Sequence, residues 1–161
     1  MGRKEQRQEA TARFEKYLAA YQKIAMLLLI PALLSTFWSF IPFGNPEISA
    51  IMVLASARLL NAYAAPSFSY GGALLSLGIM IVILICTLYA AKGKLPFFLA
   101  GIGIYAVDLA IDVYLLAAAD LSQGSIFSIV IHSVFVIAFG IGVFLYFQAK
   151  KYLLEEERLS K

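Results

Sequence analysis

Apolar residues gather into four long stretches, over residues 24–41, 72–91, 97–119 and 126–147. Each is close to the roughly 20 residues that a helix needs to cross a bilayer. Pro31 lies inside the first stretch and predicts a kink there, because proline lacks a backbone donor and crowds the preceding turn. Trp38, Phe40 and Phe43 cluster at its far end as an interfacial aromatic belt. Lys92-Gly93-Lys94 with Pro96 predicts a tight turn between the second and third stretches, and Ser122-Gln123-Gly124 another between the third and fourth. Before the first stretch, Phe14, Tyr17, Leu18 and Tyr21 recur at helical spacing, so residues 1–23 read as an amphipathic cytoplasmic helix. That helix is expected to rest on the inner leaflet, with docking onto a cytoplasmic partner as the alternative. Residues 148–161, with Glu155-Glu156-Glu157, read as a solvated cytoplasmic tail.

A fifth segment is less apolar. Asn45-Pro46-Glu47 carries a capping residue, a first-turn proline and an acid near the positive end of the helix dipole. A helix over 46–64 would stop before Pro66 and would contain Arg58 and Asn61. Taken as a crossing, it would put Lys92, Lys94 and the basic C-terminal segment outside, so it is read as an interfacial or re-entrant helix on the outer face. The expectation is an all-α membrane protein with one membrane domain over 1–161. Its core would be a four-helix transmembrane bundle with an extra outer helix between spans one and two.

Composition agrees. The chain is 61% hydrophobic, against about 45–50% for a soluble domain, and only 14% charged; its mean hydropathy is +0.83. Of 13 lysines and arginines, all but Arg58 lie before the first span, in the Lys92–Lys94 turn or after the fourth span. Four crossings put them on one side, which the positive-inside rule makes cytoplasmic, with both termini, in the cell membrane. That topology accounts for the pI near 9.0 without nucleic acid. The long basic, polar lead before the first apolar run does not read as a cleavable signal peptide, and Gln6 breaks the myristoylation pattern. Cys86 is the one cysteine, which excludes an internal disulfide and any multi-cysteine metal site.

Chemistry is concentrated in spans three and four. Asp108 and Asp112 stand one turn apart in an apolar stretch, where a charge costs about 2.5 kcal/mol or more. At 1.5 Å per residue they lie roughly 16 and 10 Å below the outer end of their span, and His132 roughly 9 Å below the outer end of the next. Tyr105 shares the Asp108 face, and Ser125 and Ser128 share that of His132. The expected site is Asp108, Asp112, His132, Tyr105 and Ser128, with Arg58 the only cation able to join if its helix dips inward. Two nearby carboxylates do not ionise together easily, so one is expected to hold a proton until a cation replaces it.

Gly72 with Ser76, and Ala138 with Gly142, are small residues four apart that permit close helix packing. Phe135, Phe139 and Tyr146 read as an exposed aromatic ridge for lipid or a partner. Gly101-x-Gly103 opens a span instead of following a strand, so it is no nucleotide fingerprint.

The arrangement Ala106-Val107-Asp108, then Asp112, then Ile131-His132-Ser133 in the next span resembles a group of small four-span membrane proteins of Gram-positive bacteria. In that group an acid lies in span three, a histidine in span four and an apolar outer segment between spans one and two. Ile131 departs from it, since an aromatic precedes the histidine there. The resemblance implies fold and topology and no reaction. The functional expectation is a non-enzymatic transporter or sensor that binds a cation or proton in the outer half of the bundle, without a cofactor. Two alternatives stay open. One is an accessory subunit of a larger membrane complex, its polar residues acting as interhelical glue. The other is a metal-dependent membrane enzyme with Asp108, Asp112 and His132 as ligands. The expected partners are the lipid bilayer and other copies or subunits.

Overall fold

The computed structural model describes residues 2–40, 54–64, 71–117 and 126–160. The described residues form six helices: α1 (Arg3–Leu27), α2 (Leu29–Ser39), α3 (Ala55–Ala64), α4 (Gly71–Ala91), α5 (Leu95–Ala117) and α6 (Ile126–Ser160). Four helical stretches are long and apolar enough to cross a membrane: α1 with α2, then α4, α5 and α6. The all-helical four-span architecture expected from the apolar pattern is therefore present. Asn45-Pro46-Glu47, Phe43, the Ser122–Gly124 turn and Ser125 lie outside the described residues.

The break between α1 and α2 falls at Leu28, three residues before Pro31. Proline has no N–H for the carbonyl of Leu27, and its ring presses on that same carbonyl. One turn further, Tyr105 of α5 enters the backbone ladder. Its hydroxyl accepts from the Ala32 N–H at 3.1 Å and donates to the Leu28 carbonyl at 2.5 Å, standing between two groups that would pair in an unbroken helix.

The turn after α4 closes on glycine. Gly93 has φ +79°, its N–H donates to the Ala90 carbonyl (2.8 Å), and the Lys94 N–H donates to that of Tyr89 (3.1 Å). This paired capping needs a left-handed residue, which glycine adopts without a side-chain clash.

At 35 residues α6 is about 50 Å long, well beyond a hydrocarbon core of about 30 Å. Its C-terminal part runs antiparallel to the polar part of α1. Arg3 Nε donates to the Leu159 carbonyl (3.1 Å), Arg7 pairs with Glu156 (3.6 Å), and Tyr17 stacks on Tyr152 with centroids 5.5 Å apart. Residues 148–160 thus continue α6 without a separate tail. The stripe expected to rest on a leaflet is turned inward instead: Tyr17 and the fully buried Tyr21 meet Tyr152 and Tyr146 of α6, and Leu18 packs partly against the core. The start of α1, the end of α6 and the Lys92–Lys94 turn lie on the same side of the bundle; Gln22 of α1 bonds the Ala91 carbonyl there at 2.9 Å.

An aromatic ladder fills the core between α1, α5 and α6. Tyr146 meets Tyr21 and Tyr21 meets Phe98, both at 5.3 Å, and Phe139 stacks on Tyr105 at 5.5 Å. Phe135, Phe139 and Tyr146 therefore face the core, not the surface: their spacing marks a buried stripe, and the exposed aromatics of α6 are Phe127, Phe144 and Phe147. Gly142 lets Phe98 approach, since a Cβ there would lie 2.6 Å from Phe98 Cζ. Trp38 likewise packs partly against the core, while Phe40 is exposed.

Candidate functional site

The first residues of α3 enter the bundle at the end away from the termini, and that entry brings the polar residues together. A helix start leaves several backbone N–H groups without partners. Here side chains from other helices supply them. Leu54 N–H donates to Ser35 Oγ (2.9 Å), Ala55 N–H to Asp108 Oδ2 (3.0 Å) and Ser56 N–H to Asp108 Oδ1 (3.0 Å). Ser56 Oγ adds a third bond to Asp108, at 2.7 Å. The carboxylate therefore caps a helix to which it does not belong, where backbone donors and the helix dipole both favour negative charge.

One turn along α3, Arg58 reaches Asp112 and forms a buried ion pair between its Nη2 and Asp112 Oδ1. Arg58 is 4% exposed and Asp112 0%, so neither charge is shared with solvent. Ser128 of α6 donates to the other oxygen, Oδ2, at 2.5 Å. His132, one turn below Ser128, lies between the two acids. Its Nδ1 is 3.5 Å from Asp112 Oδ2 and its Nε2 is 3.7 Å from Asp108 Oδ2. Nδ1 is also 2.8 Å from the Ser128 carbonyl oxygen. A carbonyl only accepts, so Nδ1 carries a proton and Nε2 is the nitrogen that can gain or lose one.

Asp108, Asp112, His132, Ser128 and Arg58 thus meet, as expected from their depth and from an inward dip of the segment carrying Arg58. Tyr105 does not join them. It shares the helix of Asp108, but its hydroxyl is committed to the Leu28–Ala32 kink. The metal arrangement is not supported either. Among the described residues no set of His, Cys, Asp and Glu side chains is placed to hold a metal ion, and the carboxylate oxygens already accept from Arg58, Ser56, Ser128 and α3.

Ser56 and a hydroxyl network beneath α3 were not legible as site residues. Ser35 and Ser39 both lie within 3.1 Å of Ser76 Oγ, and Thr36 bonds the Ser76 carbonyl at 3.1 Å. Ser35 and Ser39, one turn apart on α2, could have been found by the depth matching that pairs Asp112 with His132.

Fold and site together define an all-helical, multi-pass membrane protein with a buried charged cluster that holds a short intruding helix. Compared with models of known protein families, with curated proteins and with solved structures, the chain shows no match.

Proposed function

We propose that the protein is a proton-responsive membrane sensor in which the Asp108–Asp112–Arg58–His132 cluster latches α3 inside the bundle. The carrying observation is the place of His132: its ring stands 3.5 and 3.7 Å from the two carboxylates that hold α3. Histidine is the side chain whose ordinary titration falls between about pH 5 and 8. With its ring charged, the cluster balances two cations against two anions. With the ring neutral, one negative charge is uncompensated in a medium where that costs about 2.5 kcal/mol or more. The charged groups facing His132 among the described residues are Asp108 and Asp112 of α5, and Arg58 of α3 pairs with Asp112. Mild acid therefore closes the latch, and rising pH loosens it.

A proton fits this site better than a metal ion, because Arg58 already serves as a tethered cation on Asp112. The basic end of the bundle is assigned to the cytoplasm by its lysines and arginines, which opens the latch end outward. The test is a distance measurement between spin labels at Leu60→Cys on α3 and Val113→Cys on α5, in a Cys86→Ser background, across about pH 5 to 8. The distribution should broaden as pH rises, and His132→Gln should remove that dependence. A wild-type distribution that stays constant over this range would sink the sensor reading.

A further inference from the structure

Next to the charged cluster lies a cavity of about 170 Å³, between α2, the start of α3 and α6. Its walls are mainly apolar: Pro31, Leu34, Leu54, Ile131 and Phe135. Two of them, Leu34 (44% exposed) and Ile131 (38%), also face outward on helices that span the membrane, so the cavity borders the lipid side of the bundle. Among the described residues its polar lining is His132 and Ser35. The Ser35 hydroxyl is committed to Ser76 and to the Leu54 N–H. Among the described residues, Nδ1 is bonded to the Ser128 carbonyl and lies 3.2 Å from the Ser128 hydroxyl, whereas Nε2 is 3.7 Å from Asp108 Oδ2, beyond hydrogen-bond length.

We propose that this cavity binds a small lipophile from the bilayer, an aromatic ring bearing one hydroxyl, with the ring among Leu34, Ile131 and Phe135 and the hydroxyl donating to His132 Nε2. Size and lining support an aromatic occupant: an apolar cavity of about 150 Å³ lined by Leu, Ile and Phe stays dry and takes up benzene. Chemistry at the edge supports the hydroxyl. A neutral imidazole offers one acceptor nitrogen once the other carries the proton, and here that acceptor is Nε2. Such a ligand binds the neutral ring and is excluded by the charged one, since a charged imidazole has no acceptor. The inference uses the titrating nitrogen of the latch but does not require α3 to move.

The probe is 4-fluorophenol, followed by fluorine NMR line broadening and by thermal unfolding of the full chain in nanodiscs at about pH 8, the upper end of histidine's ordinary titration range. Expected is a saturable broadening and a saturable rise in melting temperature, as for any ligand that binds only the folded state. Ile131→Trp and Leu34→Trp plug the cavity from different helices and should each abolish both signals. Val134→Trp, on the outward face of α6, should keep them. No saturable signal in the wild type, or the same signal in both plugged variants, overturns the site. Fluorobenzene binding as tightly as 4-fluorophenol overturns the hydrogen bond to His132. A lost signal alongside a pH-dependent α3 distance would remove the ligand and leave the latch standing.

Discussion

Asp108→Asn is the most informative single change, because the two accounts of that acid predict opposite signs. If Asp108 were only a buried charge with adaptable neighbours, the amide would keep its hydrogen bonds and shed a desolvated charge, leaving stability unchanged or improved. The geometry says otherwise. Both carboxylate oxygens face backbone donors of α3, Oδ2 toward Ala55 and Oδ1 toward Ser56. An amide has one acceptor oxygen, and its other end is an NH2 group. Whichever way it turns, one N–H of the helix start meets another donor. Losing a charge-assisted bond costs about 1.5–3 kcal/mol, and the orphaned buried donor adds about 1–3. Relief of the buried charge and the weakness of interhelical bonds in membranes, about 0.6 kcal/mol on average, offset part of this. The expected net loss is about 2–3 kcal/mol, read as a fall of roughly 4–12 °C in melting temperature at about 2–4 °C per kcal/mol.

The assay is equilibrium unfolding in mixed micelles, with Ser56→Ala and the double variant completing a cycle. Ser56→Ala alone should cost about 1 kcal/mol. The pair should be less costly than the sum by about 0.5 kcal/mol or more, because both act on one carboxylate. Asp108→Asn within about 0.5 kcal/mol of the wild type, the range of an ordinary surface change, would refute the capping account.

Three further outcomes rest on the same packing. Arg58→Met leaves Asp112 buried without its cation and should cost about 3–5 kcal/mol, whereas Arg58→Met with Asp112→Leu should recover much of that; a double-variant loss equal to the sum of the Arg58→Met and Asp112→Leu losses, measured by the same unfolding, would show that the two residues are not coupled. Gly142→Ala puts a methyl group 2.6 Å from Phe98 Cζ and should cost about 1–3 kcal/mol, while Gly140→Ala, with nothing within 4 Å, should be near neutral; a reversed order would displace the α5–α6 packing. Lys92→Cys and Ser160→Cys, again without Cys86, should react with an impermeant maleimide only after the cell membrane is opened, and labelling of either in intact cells would reverse the assigned orientation.

Period and length made the spans legible, because a bilayer demands about 20 apolar residues in sequence and leaves few ways to supply them. Matched depth made the Asp112–His132 pairing legible for a related reason: consecutive antiparallel helices bring equal depths together. Tyr105 is placed by a different and weaker rule, the shared helical face with Asp108. Sharing a face with Asp108 fixes the direction of a side chain only within a sector, and the kink at Pro31 offered its hydroxyl two backbone partners that no pattern advertises. Phe135, Phe139 and Tyr146 show a second limit. In lipid, exposed and buried faces of a helix are equally apolar, so helical spacing identifies a stripe without saying which way it turns.

That symmetry of apolar faces is also why the charged cluster carries so much of the fold. Between apolar helices in a bilayer, burial gives little reason for one rotation over another, whereas an acid in hydrocarbon has few tolerable neighbours. Asp108 accepts the start of α3, and Asp112 accepts Arg58 one turn later on that helix. Two contacts one turn apart fix both the depth and the rotation of α3. Ser128 bonds Asp112 and His132 faces both acids, which sets α6 against α5 in the same way. The two aspartates that mark the sequence are thus explained first as what aligns three helices. A site built so that alignment depends on charge balance is also one in which a single proton on His132 Nε2 changes the balance that does the aligning.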